Sequence, residues 1–333
     1  MKTEARHYRK IGRAEVQCTL CPHMCVLERD ETGLCHARTN RHGVLYADNY
    51  GVVTSLCADP VEKKPLYHFF PGRSILSVGS FGCNFRCGWC QNASISQHGL
   101  EHFASLPYTP PGDVVRAAGQ GLGLAYTYNE PIVYFEFMKD MAVLAHDAGL
   151  KNVMVTNAHI NKKPLAELLP LLHAVNADLK SFSPEFYRYH AGGSLAAVKN
   201  SLKAIADRNV HLELTMLVIP GLNDDKILFT EMTDWVCSEL GPKTVLHLSR
   251  YFPAGKMRQP PTPIDLLREF HEIAKNKLSF VYLGNVPGEK ETSSTFCPSC
   301  GELVIERKGY NTVITGVDEG GCCFHCKENI CVR

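Results

Sequence analysis

Ser74-Ile-Leu-Ser-Val-Gly-Ser-Phe-Gly-Cys-Asn-Phe-Arg-Cys-Gly-Trp-Cys-Gln-Asn92 joins a strand-like run directly to three cysteines, Cys83, Cys87 and Cys90. The chain beyond Asn92 repeats a strand–helix rhythm. Leu122 to Tyr128, Lys151 to Thr156, Val175 to Lys180, His211 to Ile219, Thr244 to Ser249 and Ser279 to Leu283 read as strands. Between them Ile132–Ala148, Lys162–Leu172, Gly193–Asn209, Asp224–Leu240 and Ile264–Asn276 read as helices, the first entered through Pro131 and left at Gly149. Strands that alternate with helices run parallel, joined by crossovers. The spacing therefore predicts an α/β fold, a complete or partial (β/α) TIM-type barrel, with the cysteine loop at the strand end that carries catalysis in such barrels. No Gly-x-Gly-x-x-Gly follows the first strand, which weakens a dinucleotide-binding reading.

Composition sets the outer limits. The 333 residues include 45% hydrophobic and 21% charged, which excludes wholesale disorder. Lys and Arg number 35 against 34 Asp and Glu, so the net charge of +1 gives no field for nucleic acid or an acidic membrane. No long apolar run predicts a membrane span, and the polar start Met1-Lys-Thr-Glu-Ala-Arg lacks the character of a signal peptide. A cytoplasmic protein is expected. Fifteen cysteines in such a chain point to metal or redox chemistry before disulfides. Their clustering divides the chain into a Cys-rich extension at 1–72, a barrel core at 73–291 and a zinc-ribbon-like element at 292–333.

Three thiolates on one loop leave a tetrahedral zinc site one ligand short. An iron–sulfur cube held by three cysteines instead keeps its fourth iron open. Cys-x3-Cys-x2-Cys with Trp89 before the last cysteine resembles the signature of radical S-adenosylmethionine (SAM) enzymes. Ser80 to Asn92, Asp59-Pro-Val-Glu-Lys-Lys-Pro-Leu-Tyr-His-Phe-Phe-Pro-Gly72, Thr127-Tyr-Asn-Glu-Pro131 and Val218 to Asp224 are similar to the AmmeMemoRadiSam system radical SAM enzymes. That group is related to the pyruvate formate-lyase activating enzymes. The resemblance implies a [4Fe–4S] cluster on Cys83, Cys87 and Cys90, SAM bound at the open iron, and reductive cleavage to a 5′-deoxyadenosyl radical. It also implies an electron donor such as flavodoxin or ferredoxin, and an undetermined substrate. The rival functions are a glycyl-radical-enzyme activase and a non-catalytic metal or nucleic-acid-binding module.

The same resemblance places Asn129 and Glu130 at the SAM amino group, with Asn129 where the superfamily often has glycine. It places Thr156, Asn157, Asp178 and Lys180 at the end of later strands, near the SAM carboxylate. Glu130 could equally be a helix N-terminal acid, and Lys180 a structural partner of Asp178. His247 falls near another strand end, as cofactor contact or satisfied core histidine. Cys297, Cys300, Cys323 and Cys326 form two Cys-x2-Cys knuckles, the pattern of a closed zinc site, with a second iron–sulfur cluster as its rival. Cys18, Cys21, Cys25 and Cys35 suit either zinc or a cluster, with zinc the first expectation.

Overall fold

The structure is a computed structural model that describes residues 3–286, 288 and 290–333. Its centre is an eight-stranded sheet whose strands lie in chain order. They are β1 (Ser55–Pro60), β2 (Ser74–Gly79), β3 (Gly123–Tyr126), β4 (Lys151–Thr156), β5 (Ala174–Asp178), β6 (His211–Val218), β7 (Val245–Arg250) and β8 (Val281–Gly284). From β2 to β8 every pairing is parallel, while β1 runs antiparallel to β2. Among the described residues β8 pairs with β7 alone, so the barrel is partial and open. The crossover helices include α1 (Pro111–Ala117), α2 (Phe135–Asp147), α3 (Lys162–Leu168), α4 (Leu195–Ala206), α5 (Lys226–Glu239) and α6 (Ile264–Lys275).

Local chemistry sets the helix ends. Asp225 caps α5 by accepting from the amides of Ile227 and Leu228 at 2.8 and 3.0 Å. Ser194 caps α4 through the amide of Ala197, so that helix starts at Leu195 rather than Gly193. The turn Pro131–Tyr134 is a 3-10 helix, and regular α geometry begins only at Phe135. Pro170 converts the end of the Lys162–Leu172 segment into another 3-10 turn, Leu169–Leu171. No helix among the described residues is long and apolar enough to cross a membrane.

The sheet begins before residue 73, because β1 lies within the stretch read as an extension. Ahead of it, six short strands form two small antiparallel sheets. The sheet that contains Arg38–Arg41 is pinned to α2 by Arg38, whose guanidinium reaches both oxygens of Glu136 at 2.7 and 2.9 Å. Both side chains are buried, so removing either would strand a charge.

Between β1 and β2 the chain passes under the sheet. Asn176 of β5 donates to the carbonyl of Pro65 at 2.8 Å, and Glu213 of β6 accepts from the amides of Tyr67 and His68 at 2.9 and 2.7 Å. Glu213 lies in the first half of β6 and Asn176 at the middle of β5, so residues 60–72 close the base of the barrel. The C-terminal element docks beneath them. Its strands Thr295–Phe296, Leu303–Lys308 and Asn311–Ile314 form an antiparallel sheet. Arg307, 1% exposed, donates to the Tyr67 carbonyl at 2.6 Å and to the Thr295 hydroxyl at 2.7 Å.

Candidate active site

At the opposite end of the sheet, the loop after β2 carries Cys83, Cys87 and Cys90. Gly82 turns the chain there with φ of +88°, and a Cβ on it would meet the Cys35 carbonyl oxygen at 2.4 Å. Only glycine allows that approach. The Cys83 amide donates to the same Cys35 oxygen at 3.2 Å, and the Gly88 carbonyl accepts from the Lys256 amide at 2.8 Å. The loop is thus held from the N-terminal side and from the segment after β7. All three cysteines are half-buried residues.

This triad fits a cube better than a single ion. Among the described residues, the C-terminal quartet gathers its ligand atoms within 4.8 Å of one another and the triad forms no such group. Burial pushes the Cys87 thiol up to about 11, and raises Cys83 well above its ordinary range. Thiolates at Cys83 and Cys87 would therefore need a bound cation to hold them ionised. Sulfur acceptors are also served: the Phe85 amide donates to Cys83 Sγ at 3.3 Å, and Ser96 Oγ lies 3.3 Å from Cys90 Sγ.

Beside this loop the ends of β3 and β4 bring four of the expected residues together. Glu130 is 3% exposed and caps the Pro131–Tyr134 turn. Its Oε1 accepts from the Thr156 hydroxyl at 2.6 Å, and its Oε2 from the Asn157 amide at 2.7 Å. Burial outweighs these donors and raises its carboxyl to about 7. Asn157 then reaches Asn84 Oδ1 at 2.8 Å, directly behind Cys83. Asn129 accepts from the Ser80 amide at 3.0 Å and donates to the Gly82 carbonyl at 2.9 Å. Its side chain is committed to the cysteine loop, and a glycine in its place would lack both bonds.

Asp178 and Lys180 sit at the end of β5 as an ion pair of 2.8 Å. Burial works against the Lys180 ammonium, but Asp178 and Cys87 outweigh it and raise its pKa. His247 lies elsewhere. It is buried, with Nε2 2.6 Å from Glu213, and packs edge-on against Tyr67 over the base of the barrel. Glu213 collects His211 as well, at 2.9 Å. Burial alone would raise this carboxyl, and the two histidines outweigh it, holding it well below the usual range. His247 is a satisfied core histidine, removed from the cysteine loop because it occupies the third position of β7 rather than its end.

Asn84 was not among the expected site residues, and His23 was expected only as a possible nitrogen ligand beside the N-terminal cysteines. His23 Nε2 stands 2.8 Å from the Asn84 carbonyl, so the N-terminal extension touches the central loop directly. The signal available in sequence was the placement of Asn84 inside the cysteine motif. The C-terminal thiols of Cys297, Cys300, Cys323 and Cys326 all lie within 4.8 Å of one another. That grouping is compatible with a zinc-ribbon-like element.

A partial parallel barrel with Cys-x3-Cys-x2-Cys on the loop after β2 has the form of an iron–sulfur enzyme of the radical SAM type. The chain belongs to the radical SAM superfamily, whose sequence pattern matches residues 77–231. It is 42% identical to an uncharacterized protein of Methanocaldococcus jannaschii, over 98% of each chain. It is 26% identical to the pyruvate formate-lyase 1-activating enzyme of Escherichia coli, over 53% of this chain and 73% of that one. In fold it matches Streptococcus suis SuiB, crystallised with its precursor peptide SuiA, with a TM-score of 0.51 and 14% identity. That match covers 68% of this chain and 52% of SuiB. Membership of the superfamily implies a [4Fe–4S] cluster and SAM.

Proposed function

We propose that Cys83, Cys87 and Cys90 hold the [4Fe–4S] cluster and that the enzyme abstracts a hydrogen atom from its substrate. When bound, the cluster supplies one electron to SAM, whose cleavage gives methionine and a 5′-deoxyadenosyl radical. The chain's own residues bind and orient. Glu130 receives the ammonium of SAM, because a buried carboxyl near 7 gains most from a cation beside it. Lys180 pairs with the SAM carboxylate, sharing Asp178. Thr156 and Asn157 hold the Glu130 carboxylate in place, and Asn129 holds the loop. Cys297, Cys300, Cys323 and Cys326 bind a structural zinc at the other end of the barrel. Flavodoxin or ferredoxin in the cytoplasm donates the electron, and the finer assignment is to the AmmeMemoRadiSam group.

The observation that carries this reading is the buried Glu130 carboxylate, joined through Asn157 and Asn84 to the loop of Cys83. The anaerobically reduced protein should turn SAM into 5′-deoxyadenosine and methionine even without substrate. No deoxyadenosine, with the cluster intact and SAM bound, would refute the reading. Methylthioadenosine in its place would mean that another S–C bond breaks. The likeness to the E. coli activating enzyme supports a second reading, in which the hydrogen comes from a glycine of a partner protein. A glycyl-radical resonance on such a partner distinguishes the two.

A further inference from the structure

Cys18, Cys21, Cys25 and Cys35 line one cavity, with Leu34 also on its wall and Asn84 and Ile132 on the side of the barrel. Their thiols do not converge. Among the described residues the C-terminal quartet is the one group of ligating side chains within 4.8 Å, so no three N-terminal sulfurs approach that closely. Tetrahedral zinc holds its thiolates about 3.8 Å apart, whereas a four-iron cube spreads its four to about 6 Å. Among the described residues, neither this set nor Cys83, Cys87 and Cys90 forms a group as tight as the C-terminal quartet.

Position adds a second argument. The Cys35 carbonyl accepts from the Cys83 amide at 3.2 Å, so one hydrogen bond joins the backbones of the two cysteine sets. His23, between Cys21 and Cys25, makes the further contact to Asn84 at 2.8 Å. On the outer side, Leu34 is 61% and Val26 48% exposed, each next to a cysteine in sequence. The cavity therefore lies between the protein surface and the central loop.

We propose that Cys18, Cys21, Cys25 and Cys35 hold a second [4Fe–4S] cluster that passes single electrons to the central one, an inference that rests on the function proposed above. The donor is a low-potential one-electron carrier protein docking near Leu34. It reduces the N-terminal cluster from the 2+ to the 1+ state. That cluster returns to 2+ as the central cluster goes from 2+ to 1+, and no bond or proton changes place.

The test uses the full chain, reconstituted anaerobically with ferrous iron and sulfide. Wild type should hold about eight irons per chain, and the Cys83→Ala/Cys87→Ala/Cys90→Ala variant about four. After reduction with dithionite, the variant's electron resonance should not change on adding SAM. Cys21→Ala/Cys25→Ala should keep about four irons, with a signal that SAM does alter. Its reduction by a flavodoxin should slow at least tenfold, while reduction by dithionite should not. A triple variant without iron, carrying a second zinc, overturns the proposal, as does equal reduction of the double variant by both donors. If the double variant fails to fold, the metal content of the triple variant still decides. Eight irons with no SAM-sensitive signal would sink the central reading and leave the second cluster standing.

Discussion

Two cysteine quartets sit at opposite ends of this barrel and differ in how far apart their sulfurs are held. At the C terminus Cys297 Sγ and Cys326 Sγ are 3.4 Å apart, and Cys300 Sγ and Cys323 Sγ 3.7 Å. Those distances match the edges of a zinc–thiolate tetrahedron, about 3.8 Å. At the N terminus the four thiols stand around a cavity. Ligand number is the same, so the spacing imposed by the backbone carries the distinction. Each C-terminal pair sits on a tight Cys-x2-Cys turn, and the two turns face each other. The N-terminal set begins in a strand, at Cys18, and ends past a nine-residue gap, at Cys35. If the two proposals above hold, one end of the barrel holds the fold and the other moves electrons.

The largest effect that would break this comparison is at the ribbon. Cys297→Ala/Cys323→Ala should lose the zinc and lower the melting temperature by roughly 10 °C or more, since a thiolate cage forms only on folding. The central cluster and SAM cleavage per folded molecule should survive. Iron in place of zinc in an anaerobic preparation would give this quartet an electronic role and erase the contrast.

Next comes the seam between ribbon and barrel. Arg307 sits over the Tyr67 ring at 4.2 Å, and its Nε lies 4.0 Å from buried Glu62. Arg307→Met would leave that carboxylate without its cation and should cost about 3–5 kcal/mol. Denaturant titration should show the loss, and SAM turnover at 25 °C should stay within about twofold. A large fall in turnover with unchanged stability would mean that the base of the barrel communicates with the site.

Much of this was legible in the sequence, and the failures have physical causes. β4 runs over the residues that its apolar pattern marks, Lys151–Thr156, because a strand covered on both faces reads as a nearly continuous apolar run. β1 is an edge strand, Ser-Leu-Cys-Ala-Asp-Pro, with a half-exposed pattern and no apolar alternation, so nothing local announces it. α1 is only seven residues long and shows too little periodicity to stand out. His247 looked like a mouth residue because strand ends are uncertain by a few positions. Its true neighbour, Glu213, is an acid inside the apolar run of β6, and that local conflict marked a buried network in advance. The pairing of Cys35 with Cys83 was beyond reach, since it depends on a contact between segments 48 residues apart.

A smaller effect concerns Glu130, which the structure makes both a helix cap and a neighbour of the cysteine loop. Its folded pKa of about 7 lies above the usual 4.5. Between those values the unfolded chain binds fewer protons than the native one, so stability falls as pH rises from about 4.5 to about 7. The drop should approach about 3 kcal/mol in wild type and vanish in Glu130→Gln. A SAM ammonium stabilises the ionised form, so wild-type affinity should rise between pH 6 and 8. Glu130→Gln should bind SAM roughly ten- to a hundredfold more weakly, with no such rise and with the iron retained. Equal pH dependence in both proteins would reduce Glu130 to a structural cap and remove the central site's clearest difference from the ribbon.

The smallest effect separates the central cysteine loop from the C-terminal quartet most sharply. Ser96 is buried, and its hydroxyl lies 3.3 Å from Cys90 Sγ. A donor at a ligating sulfur favours the reduced cluster, which carries the extra negative charge. Ser96→Ala removes that donor and a 3.4 Å hydrogen bond accepted from Gln97 Nε2, within a short helical turn, Ala93–Ser96. One hydrogen bond of about 1 kcal/mol corresponds to a potential shift on the order of tens of millivolts for one electron. Redox titration followed by electron resonance should show the SAM-sensitive signal moving to lower potential. The SAM-insensitive signal should stay in place, since Ser96 bonds to the loop of the central triad alone among the three cysteine sets. Zinc content and melting temperature should not change. If both signals moved together, the two clusters would not be separable sites. If neither moved, Ser96 would not donate to the sulfur, and the potential of the central cluster would have to be set by the amide of Phe85 and the other groups around Cys83.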